Sequence, residues 1–410
     1  MKETSTVWPV AVTGLGMITP GGGDAATTWQ TVCDGASTTA VDPALAHLPV
    51  RLSCRVSAPL ARPVMLRKGI RNLDPVTRFG LNAADEALSD AGLDPAQWPA
   101  DRVAVIAGTG AGGSQTVTEG HQVLAAQGPG AVSPYHHPAS LINMTAAFLS
   151  LYFGARGPSL TVSTACASGA DAIGLAQDLL ATDRCDIALV CGAEAGITPM
   201  AVAGFAQIRA LSTHPEPHLA SRPFDRQRDG FVIAEGAAAL VLERPQDATA
   251  RDAHIHALLL AHASTTDAHH ATAPHPDAHG AEKALRQALQ RAGLTPADIT
   301  HVNAHGTSTR ANDRIEAGLL TRLFPHHPAI TSTKGALGHA LGAAGAIEAA
   351  LTALTLEKQQ IPATSGTREV DPACDIDLVT HAPRPHQGTY AVSNSFGFGG
   401  HNSVLVLAAP

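Results

Sequence analysis

One cysteine stands in a sequence context that favours nucleophilic chemistry. Cys166 lies in the run Thr161-Val-Ser-Thr-Ala-Cys-Ala-Ser-Gly169, where a β-branched stretch predicts a buried strand and the residues after Gly169 have helical spacing. We therefore expect this cysteine at a strand-to-helix turn, where free amides and the helix dipole favour an anion and lower a thiol pKa. A buried structural cysteine is the alternative for any single free thiol.

Two histidines follow strand-like runs in a similar way. His305 stands in Val302-Asn-Ala-His-Gly-Thr-Ser-Thr309, and His339 ends the run Thr331-Ser-Thr-Lys-Gly-Ala-Leu-Gly-His339. Most of the 21 histidines are expected to be surface or core residues. Loops held at strand ends, however, are where reactive groups are displayed. A cysteine and two histidines on three such loops predict an acyl-thioester nucleophile with two imidazoles around it.

The elements that must position these residues occur twice along the chain. Glu86-Ala-Leu-Ser-Asp-Ala-Gly-Leu-Asp-Pro-Ala96 is repeated as Gln287-Ala-Leu-Gln-Arg-Ala-Gly-Leu-Thr-Pro-Ala297, and each copy predicts a helix, a glycine stop, a proline turn and then a buried strand. The strands before Cys166 and Lys334 form a second pair, with helices expected over 167–181 and 339–357. The chain is thus predicted to be an α/β protein of two halves, 8–253 and 254–410, and a pseudo-twofold relation would bring equivalent strand ends together.

Composition narrows the function classes. The net charge of −8, with 15% charged residues, argues against nucleic acid or an anionic membrane as a partner. We find no apolar stretch of transmembrane length and no signal peptide, and the six cysteines form no CxxC pair, so reduced thiols in a cytoplasmic protein are expected. The histidine-rich segment 254–280 has no compact ligand spacing, so no metal site is expected there.

Five segments in this order resemble the condensing enzymes of the thiolase fold, specifically the β-ketoacyl-[acyl carrier protein] synthases. They are Val10-Ala-Val-Thr-Gly-Leu-Gly-Met17, Ala165-Cys-Ala-Ser-Gly169, Arg222-Pro-Phe-Asp-Arg-Gln-Arg-Asp-Gly-Phe-Val232, His305-Gly-Thr-Ser-Thr309 with Lys334 and Gly338-His339, and Asn394-Ser-Phe-Gly-Phe-Gly-Gly-His-Asn402. The resemblance covers nearly the whole chain. It implies a thiolase-like fold in which the duplicated βαβ halves form five layers, α-β-α-β-α.

The resemblance also implies the reaction, a decarboxylative Claisen condensation. Cys166 would take an acyl group from a carrier thioester, and malonyl-carrier would lose carbon dioxide to give the enolate that attacks it. No cofactor is expected besides the phosphopantetheine of the carrier. The implied partners are an acyl carrier protein and a second subunit, either in a homodimer or in a heterodimer with a chain-length-factor-like chain.

Individual roles carry over residue by residue. The implied catalytic residues are Cys166, His305, His339 and Lys334, with Glu316 as the acidic partner of the lysine. The backbone amides of Cys166 and Phe398 would form the oxyanion hole, and Phe398 would gate the acyl pocket. The other carried-over positions are Thr307 and Thr309 for pantetheine, Ala111 and Phe205 for the acyl pocket, and Asn303, Glu348, Ser393 and Asn394 for a structural monovalent cation. Docking of an acidic carrier would need a local basic patch on this acidic chain, for which the candidates are Arg67, Lys68, Arg71 and Arg209.

The pathway stays open between two branches. Thr309-Arg-Ala-Asn-Asp-Arg-Ile-Glu316 is similar to aromatic-polyketide synthases, whereas the runs around Cys166 and His305 are similar to fatty-acid elongation enzymes. A discrete type II polyketide ketosynthase of the reducing or polyene kind is the favoured interpretation. The alternatives are a housekeeping fatty-acid elongation synthase and a non-catalytic chain-length-factor-like or scaffold subunit. The sequence does not give the acyl substrate, its length or the cognate carrier.

Overall fold

The computed structural model describes residues 8–57 and 73–410. Its strands are β1 Val10–Ile18, β2 Ala40–Val41, β3 Leu52–Cys54, β4 Val103–Gly108, β5 Ser159–Val162, β6 Ile187–Glu194, β7 Ile233–Ala234, β8 Gly236–Glu243, β9 Ala257–Thr266, β10 His301–Asn303, β11 Ala329–Thr331, β12 Gln360–Ile361, β13 Arg384–Pro385, β14 Tyr390–Gly397 and β15 His401–Ala408. Its α-helices are α1 Ala25–Cys33, α2 Pro75–Asp90, α3 Ser114–Gln127, α4 His136–Ser140, α5 Met144–Phe153, α6 Ser168–Ala181, α7 Pro199–Gln207, α8 Pro245–Ala250, α9 His279–Ala292, α10 Arg310–Leu323, α11 Lys334–Leu337 and α12 Ala344–Lys358.

The sheet topology displays the duplication. Ten strands are joined in the order β11-β10-β14-β15-β9-β1-β8-β6-β4-β5. The first half contributes five strands to this sheet, β1, β4, β5, β6 and β8, and the second half contributes β9, β10, β11, β14 and β15. Counted along the chain within each half, the third strand lies at the outer edge, followed by the second, fourth, fifth and first. The second strand runs parallel to both the third and the fourth, and the fifth is antiparallel to its neighbours, in both halves. The first strands, β1 and β9, pair antiparallel over Val10–Val12 and join the halves.

Helices complete five layers, as the family resemblance implies. Helix α2 packs on β1, β8 and β6 at one side, and α9 packs on β9 and β15 at the other. Helices α6 and α12 lie in the middle, because each contacts strands of both halves. Residues Ala344–Leu356 of α12 are buried on every face, and their alanine-rich composition lets the two halves of the sheet pack closely around the helix. No helix in the described part of the chain is long and apolar enough to cross a membrane.

Two expectations about single elements are wrong. The strand before Cys166 was expected to be buried, but β5 is an edge strand of the sheet and Leu160 is 39% exposed. The helix expected to begin at residue 339 begins at Ala344 instead. Gly338, with φ +71°, ends the short helix α11 and turns the chain, so that His339 forms a bridge to Ile233 before α12 begins.

Candidate active site

Loops from both halves enclose one cavity of about 600 Å³. The first half contributes the loops that follow its second, third and fourth strands, and the second half contributes the equivalent three loops. Carboxyl ends of parallel strands meet at one edge of a sheet, so the duplication predicts this convergence. The lining side chains from the sequence analysis are Cys166, His305, His339, Ala111, Phe205, Phe398, Thr307, Thr309 and Arg209.

Cys166 lies at a tight turn between β5 and α6. Ala165 has φ 52°, in the left-handed region, and the 3₁₀ turn Ala165–Ala167 leads directly into the helix. The Ser168 hydroxyl accepts from the Thr164 amide at 2.9 Å and donates to the Ala165 carbonyl at 2.6 Å. This local network holds the strained turn, and the half-buried cysteine faces the cavity.

The hairpin of β14 and β15 closes on the cysteine from the other half. A Cβ at Gly397 would lie 2.6 Å from the Thr164 carbonyl oxygen and 3.1 Å from the Cys166 amide nitrogen, so only glycine permits this approach. The backbone amide of the next residue, Phe398, donates to the Cys166 thiol. Gly397 thus lets the hairpin come close enough to the Cys166 turn for the Phe398 amide to reach the sulfur.

The thiol differs electrostatically from the prediction. Burial raises the pKa of Cys166 to about 11, although the Lys334 charge and the Phe398 amide act in the opposite direction. The expected lowering of the pKa by the helix N-terminus is wrong, because desolvation of the thiolate outweighs it. The resting nucleophile is a neutral thiol that must lose its proton during the reaction.

Glu316 fixes the loop that carries His305. Its carboxylate accepts hydrogen bonds from the backbone amides of His305 and Gly306, both at 2.8 Å, and from the Asn394 side chain at 3.1 Å. The direct ion pair of Lys334 is with Glu348 rather than with Glu316, although the Lys334 charge still acts to lower the pKa of Glu316. Glu316 instead satisfies two amides at a strand end, where the first turn of backbone after the strand has no sheet partner.

Lys334 pairs with Glu348, which projects from the middle-layer helix α12. Both side chains are 2% exposed and in direct contact. The ammonium also donates to the His305 carbonyl oxygen at 2.7 Å and approaches His305 Nδ1 at 3.5 Å. An ammonium can only donate, so Nδ1 accepts and the ring proton of His305 is held on Nε2. The ion pair thus orients one imidazole from behind.

His339 lies beside His305. Its backbone amide donates to the Val232 carbonyl at 2.8 Å, and the ring packs edge-on against Phe231 with centroids 5.3 Å apart. The two imidazole centroids are 5.4 Å apart, with the rings nearly perpendicular. Burial and the nearby Lys334 charge hold the pKa of both histidines well below the ordinary 6.5, so both rings are neutral hydrogen-bond donors rather than acids.

Aromatic side chains form part of the cavity wall near Cys166. Phe205 contacts Phe231 with centroids 5.3 Å apart and Phe398 at 6.1 Å. Ala111 also lines the cavity, but it is exposed in the single chain, so the cavity reaches the surface on that side. Toward the other side, the hydroxyls of Thr307 and Thr309 are 2.9 Å apart.

Four of the buried oxygens assigned to a cation have no hydrogen-bond partner within residues 8–57 and 73–410. They are Asn303 Oδ1, Glu348 Oε2, Ser393 Oγ and Asn394 Oδ1. Asn303 and Ser393 lie opposite one another on the paired strands β10 and β14, and the Asn303 amide donates to the Glu348 carbonyl at 3.1 Å. Buried oxygen atoms without donors are costly, and a cation would satisfy them. Oxygen donors of this kind suit the hard ion that the resemblance implies.

Of the four candidate docking residues, the structure describes only Arg209. Arg67, Lys68 and Arg71 lie outside the described residues. Arg209 is exposed, has φ 54° and lines the cavity after α7. Sequence reasoning missed Arg228, which donates to the Thr309 and Arg310 carbonyls and pairs with Asp371 at 2.7 Å. It lies in the segment quoted for the resemblance, and it holds the threonine loop.

Glu194 is a second residue that sequence reasoning missed. It is completely buried at the end of β6 and accepts from the amides of Gly110 at 2.7 Å, Gly342 at 3.0 Å and Ala111 at 3.2 Å. It therefore joins loops of both halves at the cavity wall. Burial raises its pKa from 4.5 to about 7, and the amide donors only partly offset this.

Replacing Glu194 with glutamine is expected to remove a pH-dependent part of the stability. In wild type the folded state holds a proton that the unfolded chain releases above pH 4.5, so the free energy of unfolding falls between pH 4.5 and 7. Relative to Glu194→Gln, the free energy of unfolding of wild type should decline by about 3 kcal/mol across that pH window. Urea unfolding at several pH values measures it. Exposed Glu119→Gln is the control and should follow wild type; identical curves for wild type and Glu194→Gln contradict the assignment.

Comparisons with known proteins identify the family of this chain. Residues 8–248 match the family described as beta-ketoacyl synthase, N-terminal domain, and residues 256–368 match beta-ketoacyl synthase, C-terminal domain. The 3-oxoacyl-[acyl-carrier-protein] synthase 2 of Staphylococcus aureus is 39% identical, over 97% of both chains.

Two solved structures share the whole fold. One is a type II PKS acyl-carrier protein in complex with its ketosynthase bound to the hexaketide; it has a TM-score of 0.90 and 29% identity, covering 99% of this chain and 100% of that one. The other is the ishigamide ketosynthase/chain length factor, with a TM-score of 0.91 and 31% identity, covering 99% and 100%.

Proposed function

Because this chain belongs to the β-ketoacyl synthase family, a family of condensing enzymes, we propose that it joins an acyl group held on Cys166 to malonyl-[acyl carrier protein] by decarboxylative Claisen condensation. The observation that carries this proposal is the single cavity lined by Cys166, His305 and His339. A nucleophile and two neutral imidazoles are the groups that the two half-reactions need.

The first half-reaction transfers the acyl group. The Cys166 sulfur attacks the carrier thioester, and the new S–acyl bond forms as the bond to the pantetheine sulfur breaks. The proton of the neutral thiol goes to the departing pantetheine sulfur, so this step is proton-neutral. Amides of Cys166 and Phe398 stabilise the oxyanion, and one such donor is typically worth ~3–4 kcal/mol.

The second half-reaction makes and uses a carbon nucleophile. The malonyl carboxylate leaves as carbon dioxide, and the electrons of the broken C–C bond form an enolate on the thioester. Hydrogen bonds from the His305 and His339 rings stabilise the enolate oxygen. The enolate carbon attacks the acyl carbonyl, Cys166 leaves as thiolate and takes up one proton, and 3-oxoacyl-carrier is released.

A carrier-bound assay tests the reaction. Acyl-carrier and malonyl-carrier are mixed with the enzyme, and the carrier products are weighed by mass spectrometry. We expect a 3-oxoacyl-carrier two carbons longer than the primer, with one carbon dioxide released per product. Hydrolysis of the acyl-carrier without chain extension would contradict the proposal.

We further propose a type II polyketide pathway of the reducing or polyene kind. Both described structural neighbours come from ketosynthase complexes, one holding a hexaketide. The alanine at position 111 leaves space for a long or rigid chain. The rival, fatty-acid elongation, is favoured by the 39% identical 3-oxoacyl-[acyl-carrier-protein] synthase 2. A panel of polyketide and saturated acyl-carriers separates the two by their kcat/KM values.

Ala111→Ile tests the acyl pocket. A branched side chain would fill the cavity where the acyl tail is proposed to lie, so kcat/KM for the longest accepted acyl-carrier should fall by about 10- to 100-fold, the effect of a 1–3 kcal/mol clash. Short primers should react as before. Ala131→Ile, at an exposed position outside the cavity lining, is the control. An unchanged chain-length preference in Ala111→Ile would show that Ala111 does not line the acyl pocket.

An acyl carrier protein and a second ketosynthase-type subunit are the proposed partners. The edge strand β5 has no neighbour on its outer side among the described residues, and apolar Ile142, Leu151 and Leu160 are 42%, 64% and 39% exposed nearby in the chain. Such an edge favours pairing with another chain. Light scattering of the purified protein distinguishes a homodimer from a monomer that needs a chain-length-factor-like partner.

A structural monovalent cation is part of the proposal. The oxygens of Asn303, Glu348, Ser393 and Asn394 would hold it, behind the Lys334–Glu348 pair. The bound charge would help to fix β10, β14 and α12 relative to one another. It would take no part in bond making.

A further inference from the structure

Three potential metal ligands lie together outside the residues that line the catalytic cavity. His254 and His256 precede β9, in the segment that connects the two halves, and Glu357 lies in the last turn of α12. His254 Nε2 is 2.9 Å from Glu357 Oε1, and His256 Nδ1 is 2.9 Å from Glu357 Oε2. One ligand atom from each of the three residues lies within 4.8 Å of the others.

Asp90 supports the cluster from behind. Its Oδ2 is 2.7 Å from His256 Nε2 and also accepts from the Leu15 amide at 2.8 Å. A carboxylate on the distal nitrogen of a histidine fixes the proton there and leaves the other nitrogen free as a ligand. His256 is only 8% exposed, so this arrangement is built into the packing. Without metal, both ring nitrogens of His256 face carboxylate oxygens, and a metal ion would take the place of the proton between Nδ1 and Glu357.

We propose that His254 Nε2, His256 Nδ1 and the Glu357 carboxylate bind one zinc ion, with water as the fourth ligand. Two imidazoles and one carboxylate are a common zinc donor set. Zinc–ligand bonds of about 2.0–2.2 Å place tetrahedral ligands ~3.3 Å apart, which small side-chain shifts reach from the present spacing. The His254 side chain is 60% exposed, so an ion can enter from solvent.

The site would act as a clamp rather than in the condensation. It would tie the connecting segment to α12 in the middle layer and, through Asp90, to α2 on the first half. A ligand that binds only the folded state raises stability in proportion to its binding. Zinc is therefore expected to raise Tm and leave the saturated condensation rate unchanged.

A second histidine cluster in the chain provides the control. His275, Asp277 and His279 also lie close together, but His279 and Asp277 are exposed, and the Asp277 amide already donates to His275 Nδ1 at 3.2 Å. Among the described residues, the His275 ring has no carboxylate partner of the kind that Asp90 gives His256. His279→Ala is thus a matched exposed substitution that should leave zinc binding intact.

Metal titration of the full-length, untagged, chelator-treated protein tests the proposal. We expect one equivalent of Zn²⁺ by calorimetry, a tetrahedral visible spectrum with Co²⁺, and a zinc-dependent rise in Tm. His254→Ala and Glu357→Gln should each weaken binding by at least about 10-fold, as for lost ligands, while His279→Ala behaves as wild type. Absence of stoichiometric binding to wild type, or binding that survives both substitutions, would overturn the site.

Discussion

Cys166→Ala is expected to abolish acyl-enzyme formation and to lower condensation by a factor on the order of 10⁴ to 10⁶, the scale of losing a covalent nucleophile. Without the sulfur there is no thioester for the enolate to attack. The substitution replaces a half-buried cysteine with alanine, a residue of similar volume, so the fold should survive. Condensation is measured as 3-oxoacyl-carrier formed, and acylation as the mass added to the protein.

The same variant separates the two half-reactions. His305 and His339 do not depend on the sulfur for their position, because Lys334, Glu316 and Phe231 hold them. Carbon dioxide release from malonyl-carrier should therefore continue in Cys166→Ala. Cys33→Ala, at the other half-buried cysteine, is the control and should condense normally. Normal condensation by Cys166→Ala would show that Cys166 is not the nucleophile.

Replacing either cavity histidine is expected to slow decarboxylation by about 10²- to 10³-fold, the usual cost of one lost oxyanion donor. Each ring is proposed to donate one hydrogen bond to the enolate oxygen, and alanine cannot. Acylation of Cys166 should persist in His305→Ala and His339→Ala, since the backbone amides serve that step. Single-turnover measurement of carbon dioxide release and of acyl-enzyme formation gives the two rates separately.

The pH profile and a conservative variant check the role of the rings. Because the pKa of both histidines is held well below 6.5, neither ring gains a proton as pH falls from 8 to 6.5, and decarboxylation should show no limb near 6.5. His339→Gln keeps an N–H donor and should recover part of the decarboxylation rate that His339→Ala loses. Equal loss of acylation and decarboxylation in the alanine variants would instead indicate a structural role.

The layout of the fold could be predicted from the sequence because the chain repeats its own pattern. The helix over Glu86 and the helix over Gln287 are equivalent in the structure, as α2 and α9, and so are the strands before Cys166 and Lys334. Local patterning, however, does not tell whether a strand lies at the edge of a sheet. The apolar run of β5 therefore predicted burial, although its outer side is exposed.

The convergence of Cys166, His305 and His339 on one cavity could be predicted because each residue follows a strand, but the charges around them could not. Glu316 and Glu348 both lie on helices, and only tertiary packing decides that Glu348 reaches Lys334. Glu194, between alanines at the end of an apolar strand, carries no motif at all. Desolvation of the thiol depends on how loops from both halves pack around it, which explains why the helix N-terminus alone gave the wrong direction for the pKa of Cys166.

The histidine-rich segment illustrates the same limit. Spacing within 254–280 predicted no metal site, because the third ligand of the proposed site is Glu357, about a hundred positions away. Only the tertiary fold, which packs the end of α12 against the connecting segment, places Glu357 beside His254 and His256.

Locating the acyl group on the protein tests the central claim most directly. The enzyme is incubated with an acyl-carrier, its intact mass is measured, and the modified peptide is sequenced by mass spectrometry before and after addition of malonyl-carrier. We expect a single acyl group on Cys166, which disappears as 3-oxoacyl-carrier forms. Acylation at any of the other five cysteines, or an acyl group on Cys166 that malonyl-carrier does not remove, would contradict the account.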